Sequence, residues 1–108
     1  MTRTPIEIII DSTNDGVIAV DRDERITIFN RAAEGITGIP TDRAVGRHVA
    51  DVIAYTRLPA VMATGEAELN RQLPLGNTTI VTSRMPIVDE TDRIIVAFAV
   101  FRDISDVV

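Results

Sequence analysis

The apolar positions along the chain change their spacing twice, and each change marks a change of element. Near the start, Ile6, Ile9 and Ile10 stand at i, i+3 and i+4, which places them on one face of a helix. Pro5 suits the first helical position and Thr4 the N-cap before it. Ile8 falls off that face. A strand over residues 6–10 is the competing reading, because isoleucine is β-branched. Asp15-Gly16 turns the chain, and Gly16 to Gly38 then reads as strand, turn, strand and helix. Val17 to Val20 is the first strand, Asp21 to Glu24 a charged turn, and Arg25 to Phe29 the second strand. Asn30 ends that strand and can cap a helix over Arg31 to Ile36, which Gly38 stops.

Short helical pieces follow. Thr41 to Ala44 suits one turn. His48 to Ile53 sets Val49, Val52 and Ile53 on one face. Pro59 opens a third piece with Leu58, Val61 and Met62 inward and Gly65 as its stop. From Glu66 the period becomes two. Strands are expected over Glu68 to Leu75, Thr78 to Ile87 and Arg93 to Arg102, joined by turns at Gly76-Asn77 and at Asp89 to Asp92. Ile94 to Phe101 is an unbroken apolar run, so both faces of that strand need cover. The order predicts an α+β domain: a five-stranded antiparallel sheet with short helices packed on one face. Residues 1–14 are expected to form an N-terminal cap helix, and residues 15–108 the domain proper.

Composition narrows the function classes. A chain of 108 residues supports one core, and with only Phe29, Tyr55, Phe98 and Phe101 as aromatics it must be largely aliphatic. A net charge of −5 argues against direct nucleic-acid binding and against an anionic membrane surface as partner. The lack of cysteine excludes a disulfide framework, a thiol nucleophile and a zinc–cysteine site. No apolar run reaches the roughly 18 residues of a membrane span, and residues 1–20 do not read as a signal peptide. The expected location is the cytoplasm. The acids at Asp21, Asp23, Glu24, Asp89, Glu90 and Asp92 fall in turns, where charge is usually solvated. No catalytic triad order, phosphate loop or metal-ligand cluster stands out, so no intrinsic catalysis is expected.

The chain resembles a PAS domain, the sensory module of many bacterial regulators. The resemblance is carried by Asp15-Gly16-Val17-Ile18-Ala19-Val20-Asp21, Ile26-Thr27, Asn30-Arg31-Ala32-Ala33-Glu34, Gly38, Gly46 and the closing Arg102-Asp103-Ile104-Ser105. It covers nearly all residues from Ile10 onward and implies the PAS fold. A narrower resemblance lies in Thr56-Arg57-Leu58-Pro59 and in Asn77 to Ile87. These stretches look like PAS domains that precede the ATPase module of sigma-54-dependent transcription activators. Sensor histidine kinases and cyclic-dinucleotide enzymes carry similar domains. The resemblance implies an output domain C-terminal to this one. It also implies no reactive-cysteine photochemistry, because there is no cysteine. Haem ligation is not expected, since the only histidine, His48, lies in the wrong segment. No cofactor is assigned.

Candidate ligand-binding residues follow from the strand Thr78 to Ile87. Ile80, Thr82 and Arg84 share one of its faces, and Val81, Ser83 and Met85 the other. Hydropathy alone would turn the second set inward. The PAS register turns Ile80, Thr82 and Arg84 toward the cavity between sheet and helices, with Ala97, Ala99 and Phe101. A guanidinium there needs an acceptor. One reading is a ligand carboxylate or phosphate; the other is an internal pair with an acid such as Glu34 or Asp51. Arg57, with Tyr55 and Thr56 at the start of the third helical piece, is a further candidate, and Asn70 a weaker polar pocket liner. Asp103 is the candidate for signal relay, as the cap of an outgoing helix.

The outer sheet face, with Val96, Phe98 and Val100 beside Val81 and Met85, is a candidate homodimer surface. Ile6, Ile9 and Ile10 of the first helix are expected to cover it, within one chain or swapped between two. Two functions are therefore in view. One is a sensor of a small acid in a sigma-54-dependent activator. The alternative is a ligand-free dimerisation or interaction module of a histidine kinase or cyclic-dinucleotide enzyme.

Overall fold

The structure is a computed structural model that describes residues 4–54 and 56–105. The described residues form five helices and five strands. Helix α1 is Pro5–Asp11, followed by β1 (Gly16–Val20) and β2 (Ile26–Phe29). Four helices come next: α2 (Arg31–Thr37), α3 (Thr41–Ala44), α4 (Val49–Val52) and α5 (Leu58–Thr64). Strands β3 (Glu68–Leu75), β4 (Thr78–Val88) and β5 (Ile94–Asp103) complete one antiparallel sheet in the order β2-β1-β5-β4-β3. This is the expected α+β architecture, and α1 is a helix. Boundaries move by a residue or two, as at β2, where Arg25 makes only an isolated bridge to His48.

Two hairpins turn by the same chemistry. Asp21 Oδ1 accepts the backbone N–H groups of Asp23 and Arg25, and Asp89 Oδ1 accepts those of Thr91 and Arg93. The fourth turn residue, Glu24 or Asp92, takes φ 63° in both. The turn acids therefore order the backbone locally. Three accepted hydrogen bonds, the strongest from the Thr91 hydroxyl, hold the Asp89 carboxyl below its ordinary value.

Asn30 ties the N-terminal half together. It is buried, caps α2 through Oδ1 on Ala33 N–H, and accepts Val17 N–H with the same oxygen. Its Nδ2 donates to the carbonyls of Ile10 and Asp15. Asp11 Oδ1 accepts Arg31 N–H beside it. Helix α1 is thus fastened at its C-terminal end by polar contacts. Its apolar residues do not form the buried stripe that their spacing suggests. Ile6 and Ile9 are about two-thirds exposed and Ile8 half, while Ile10 is half-buried.

The core lies between the helices and the inner sheet face. Val20, Ile26, Val49 and Val61 are fully buried there, at about 1.5–3 kcal/mol each. The inner face of β5 is Ala97, Ala99 and Phe101, all buried, and the outer face Val96, Phe98 and Val100, all half-buried, as the alternation predicts. Gly16 sits against Phe101 in the β1–β5 ladder, so close that a Cβ there would come 2.4 Å from the ring.

Candidate functional site

A cavity of about 390 Å³ opens between the sheet and helices α4 and α5. Its sheet wall includes Ile18, Ile80, Thr82, Arg84, Ala99 and Phe101, with Leu73 and Pro74 of β3. Its helical side includes Val49, Val52, Ile53, Thr56 and Leu58. The inward turn of Ile80, Thr82 and Arg84 is therefore the PAS register and not the one hydropathy favours. Val81, Ser83 and Met85 lie half-buried on the other face.

Among the described residues, the polar groups of this lining differ in how far they are engaged. The Thr37 hydroxyl donates to Ala33 O and accepts from Ile39 N–H, while Thr56 Oγ1 accepts from Leu58 N–H. Thr82 is buried, and its hydroxyl makes no hydrogen bond among the described residues. Arg84 is about nine-tenths buried and makes one hydrogen bond among the described residues, from Nη1 to Glu68 Oε1 at 2.9 Å. Among the described residues its Nε and Nη2 have no acceptor.

The acidic partner of Arg84 is Glu68, not Glu34 or Asp51. Glu34 is engaged by Thr41 N–H, and Asp51 is exposed at α4. Glu68 stands directly opposite Arg84 in the β3–β4 ladder. It also receives Arg57, through Nη2 at 2.7 Å and Nε at 3.2 Å. The Arg57 hydrogen bond holds the Glu68 carboxyl below its ordinary value, with Arg84 adding to the effect, and the pair raises the Arg57 guanidinium in turn.

Arg57 therefore does not line the cavity. It precedes α5, more than half exposed, and braces that helix to the sheet through Glu68. Asn70 is displaced too. It sits at a β-bulge between Glu68 and Arg71 with φ 53°, and its N–H donates to Ser83 Oγ. Exposed at this bulge, Asn70 does not line the main cavity and borders a small depression beside Ser83 and Arg102 instead. Tyr55 lies outside the described residues. His48 lies away from the cavity. Its Nδ1 accepts Ala50 N–H at the start of α4, which leaves Nε2–H to donate to Glu24 Oε1.

The exit from the sheet is also built. Asp103 ends β5 opposite Ile80, and its carboxylate accepts Ser105 N–H at 2.7 Å. That bond holds the carboxyl below its ordinary value. Ser105 Oγ accepts Thr79 N–H, and Ile104 N–H donates to Thr79 O, so residues 103–105 are pinned to β4, the strand that carries Thr82 and Arg84.

The sequence family described as the PAS fold matches residues 6–104. The chain belongs to the PAS family. Its curated relatives include the sensor protein CitS of Halalkalibacterium halodurans, 36% identical over 103 residues, which are 94% of this PAS domain and 19% of CitS. They also include a probable C4-dicarboxylate sensor kinase of Bacillus subtilis, 36% identical over 92 residues, 85% of this chain and 17% of that protein. The chain thus spans about a fifth of the length of these relatives. Among solved structures, the PAS domain of histidine kinase ThkA superposes with a TM-score of 0.73 at 19% identity, covering 82% of this chain and 98% of that one. The PAS domain of nitrogen regulation protein NR(II) from Vibrio parahaemolyticus gives 0.66 at 14% identity, covering 94% and 99%. This PAS domain is a sensory module of the kind found in signalling proteins. Among the described residues no helix is long and apolar enough to cross a membrane.

Proposed function

We propose that this PAS domain is the sensory module of a bacterial sensor histidine kinase and that its cavity takes a small acid on Arg84. The kinase assignment rests on the curated relatives, which are named as sensor proteins and sensor kinases. It takes precedence over the sigma-54-dependent activator that Thr56-Arg57-Leu58-Pro59 suggests. The acid rests on one observation: a nearly buried guanidinium in the cavity wall with a single hydrogen bond among the described residues. A volume of about 390 Å³ lies in the range of small-ligand sites, and the Thr82 hydroxyl stands two residues from Arg84 on the same face.

Relay follows from register. Thr82 pairs with Phe101 and Ile80 with Asp103, so a ligand that moves the inner face of β4 acts on the end of β5. Asp103, through Ser105, sets the direction in which the chain leaves toward an output domain. Amide shifts in ¹⁵N-labelled protein titrated with short carboxylates test this. Shifts are expected at Thr82, Arg84 and Ala99 and, through the ladder, at Asp103 and Ser105. Shifts that stay within the cavity would break the relay half of the proposal.

The reading without a ligand keeps one specific support. Ile6, Ile8 and Ile9 are exposed on α1, and Val96, Phe98 and Val100 are half-buried on the outer sheet face, which suits a homodimer surface. Sedimentation over a concentration range decides whether that surface self-associates, and self-association is compatible with a sensing cavity.

A further inference from the structure

The charges around the cavity carry the ligand class further, given the acid-sensing reading on which this step rests. Glu68 is shared by Arg57 and Arg84, so the three side chains hold one positive charge in excess. The excess does not fall evenly. Arg57 meets the Glu68 carboxylate with two nitrogens and is more than half exposed, so water also screens it. Arg84 is nearly buried and gives Glu68 one N–H. The under-compensated charge is therefore at Arg84, beside the cavity.

That charge can accept one carboxylate. The remaining guanidinium edge, Nε and Nη2, matches the two oxygens of a carboxylate in the bidentate manner. Among the described residues lining the cavity, a second acidic group on the same ligand has no cation to meet. Arg57 is outside the wall with Nε and Nη2 turned to Glu68, and the other described residues lining the cavity are uncharged: mostly apolar, such as Ile18, Ile53, Leu58, Ile80 and Phe101, with the hydroxyls of Thr37, Thr56 and Thr82. A second carboxylate would find only neutral hydroxyls and aliphatic groups, which do not offset the cost of taking its charge out of water, or would approach Glu68 as a like charge. The same walls favour an apolar body behind the acid.

We infer that the cavity selects a mono-anionic carboxylic acid with a short aliphatic body, and that Glu68 is the residue that sets this selectivity. Glu68 holds one edge of Arg84, neutralises Arg57, and repels a second negative group. It is a positioning and specificity residue and touches no ligand atom in this arrangement.

Isothermal titration at pH 7 with 4-methylpentanoate, succinate and inorganic phosphate tests it. The wild-type chain is expected to bind 4-methylpentanoate at least about tenfold more tightly than succinate or phosphate. Glu68→Gln should shrink that preference by tightening succinate. Arg57→Ala leaves Glu68 charged and gives Arg84 the whole carboxylate, so it should weaken 4-methylpentanoate. This second variant changes an exposed side chain and keeps the test decisive if Glu68→Gln fails to fold. Succinate or phosphate binding as tightly as 4-methylpentanoate would overturn the inference while acid sensing stands. An unchanged preference in folded Glu68→Gln, or unchanged affinity in Arg57→Ala, would overturn the role of Glu68. If none of the three probes binds, the acid-sensing reading falls and this inference with it.

Discussion

Arg84 faces Glu68 because β3 bulges at Asn70. Counted back from the Leu75–Thr78 pair, an unbroken ladder would set Arg84 against Leu69. The bulge between Glu68 and Arg71 shifts the register by one residue, puts Glu68 opposite Arg84, and leaves Leu69 exposed. Asparagine tolerates the left-handed backbone that this requires, here φ 53°. The acid that partners the cavity arginine is delivered by a bulge residue two positions away.

Removing Glu68 should cost more than removing Arg84. Glu68→Ala leaves a nearly buried guanidinium without its acceptor, a loss of about 1–3 kcal/mol. Arg84→Met leaves Glu68 still held by Arg57 and fills the wall with an apolar chain of similar length, so it should be close to neutral. Urea unfolding of the two variants against wild type gives the order. Equal losses would mean that the pair has no such asymmetry.

Acid should weaken the domain partly through Glu68. Its folded value lies below the ordinary 4.5 because of Arg57, so its contribution is complete above the unfolded value and is lost as pH falls through the folded one. Glu68→Gln removes that titration. The slope of stability against pH below about 4.5 should be shallower in Glu68→Gln than in wild type, with Asp89 and Asp103 keeping part of it. Superimposable slopes would show that the Arg57 pair is not maintained in solution.

Asn30 should resist even its nearest isostere. Asn30→Asp keeps Oδ1 for Val17 and Ala33 but loses the two Nδ2 donors and sets a carboxylate against the carbonyls of Ile10 and Asp15. A loss of about 1–3 kcal/mol is expected, with faster hydrogen exchange in α1. A neutral substitution would mean that α1 is not fastened through this residue.

Gly16→Ala should act through Phe101. A Cβ at 2.4 Å from the ring forces it off its position in the cavity wall, at about 1–3 kcal/mol. Phe101→Leu alone leaves a void, but combined with Gly16→Ala it should recover part of the loss, a coupling that a double-mutant cycle reads directly. Additive losses would place the conflict elsewhere.

Much of this was legible along the chain. Period changes located every strand, and Asn30, Gly38 and Gly65 marked the caps now seen at α2 and α5. The inward set Ile80, Thr82 and Arg84 was not legible from hydropathy, since Val81 and Met85 are the more apolar residues; it needed the family register. Glu68 could not be found by pattern, because turn-to-turn counting pairs Arg84 with Leu69. The one signal was Asn70, an asparagine inside an edge strand, where a bulge is a natural explanation. It read instead as a pocket residue. Ile6 and Ile9 show a different limit: helical spacing says which residues share a face but not whether anything covers that face, and both are exposed in the single chain.

The central claim is that Arg84 gives the cavity its ligand. The most direct test is the thermal midpoint of wild type and Arg84→Ala with and without saturating 4-methylpentanoate, because a ligand that binds only the folded chain must raise it. The midpoint should rise for wild type and stay put for a folded Arg84→Ala. No rise in wild type, or an equal rise in both, would contradict it.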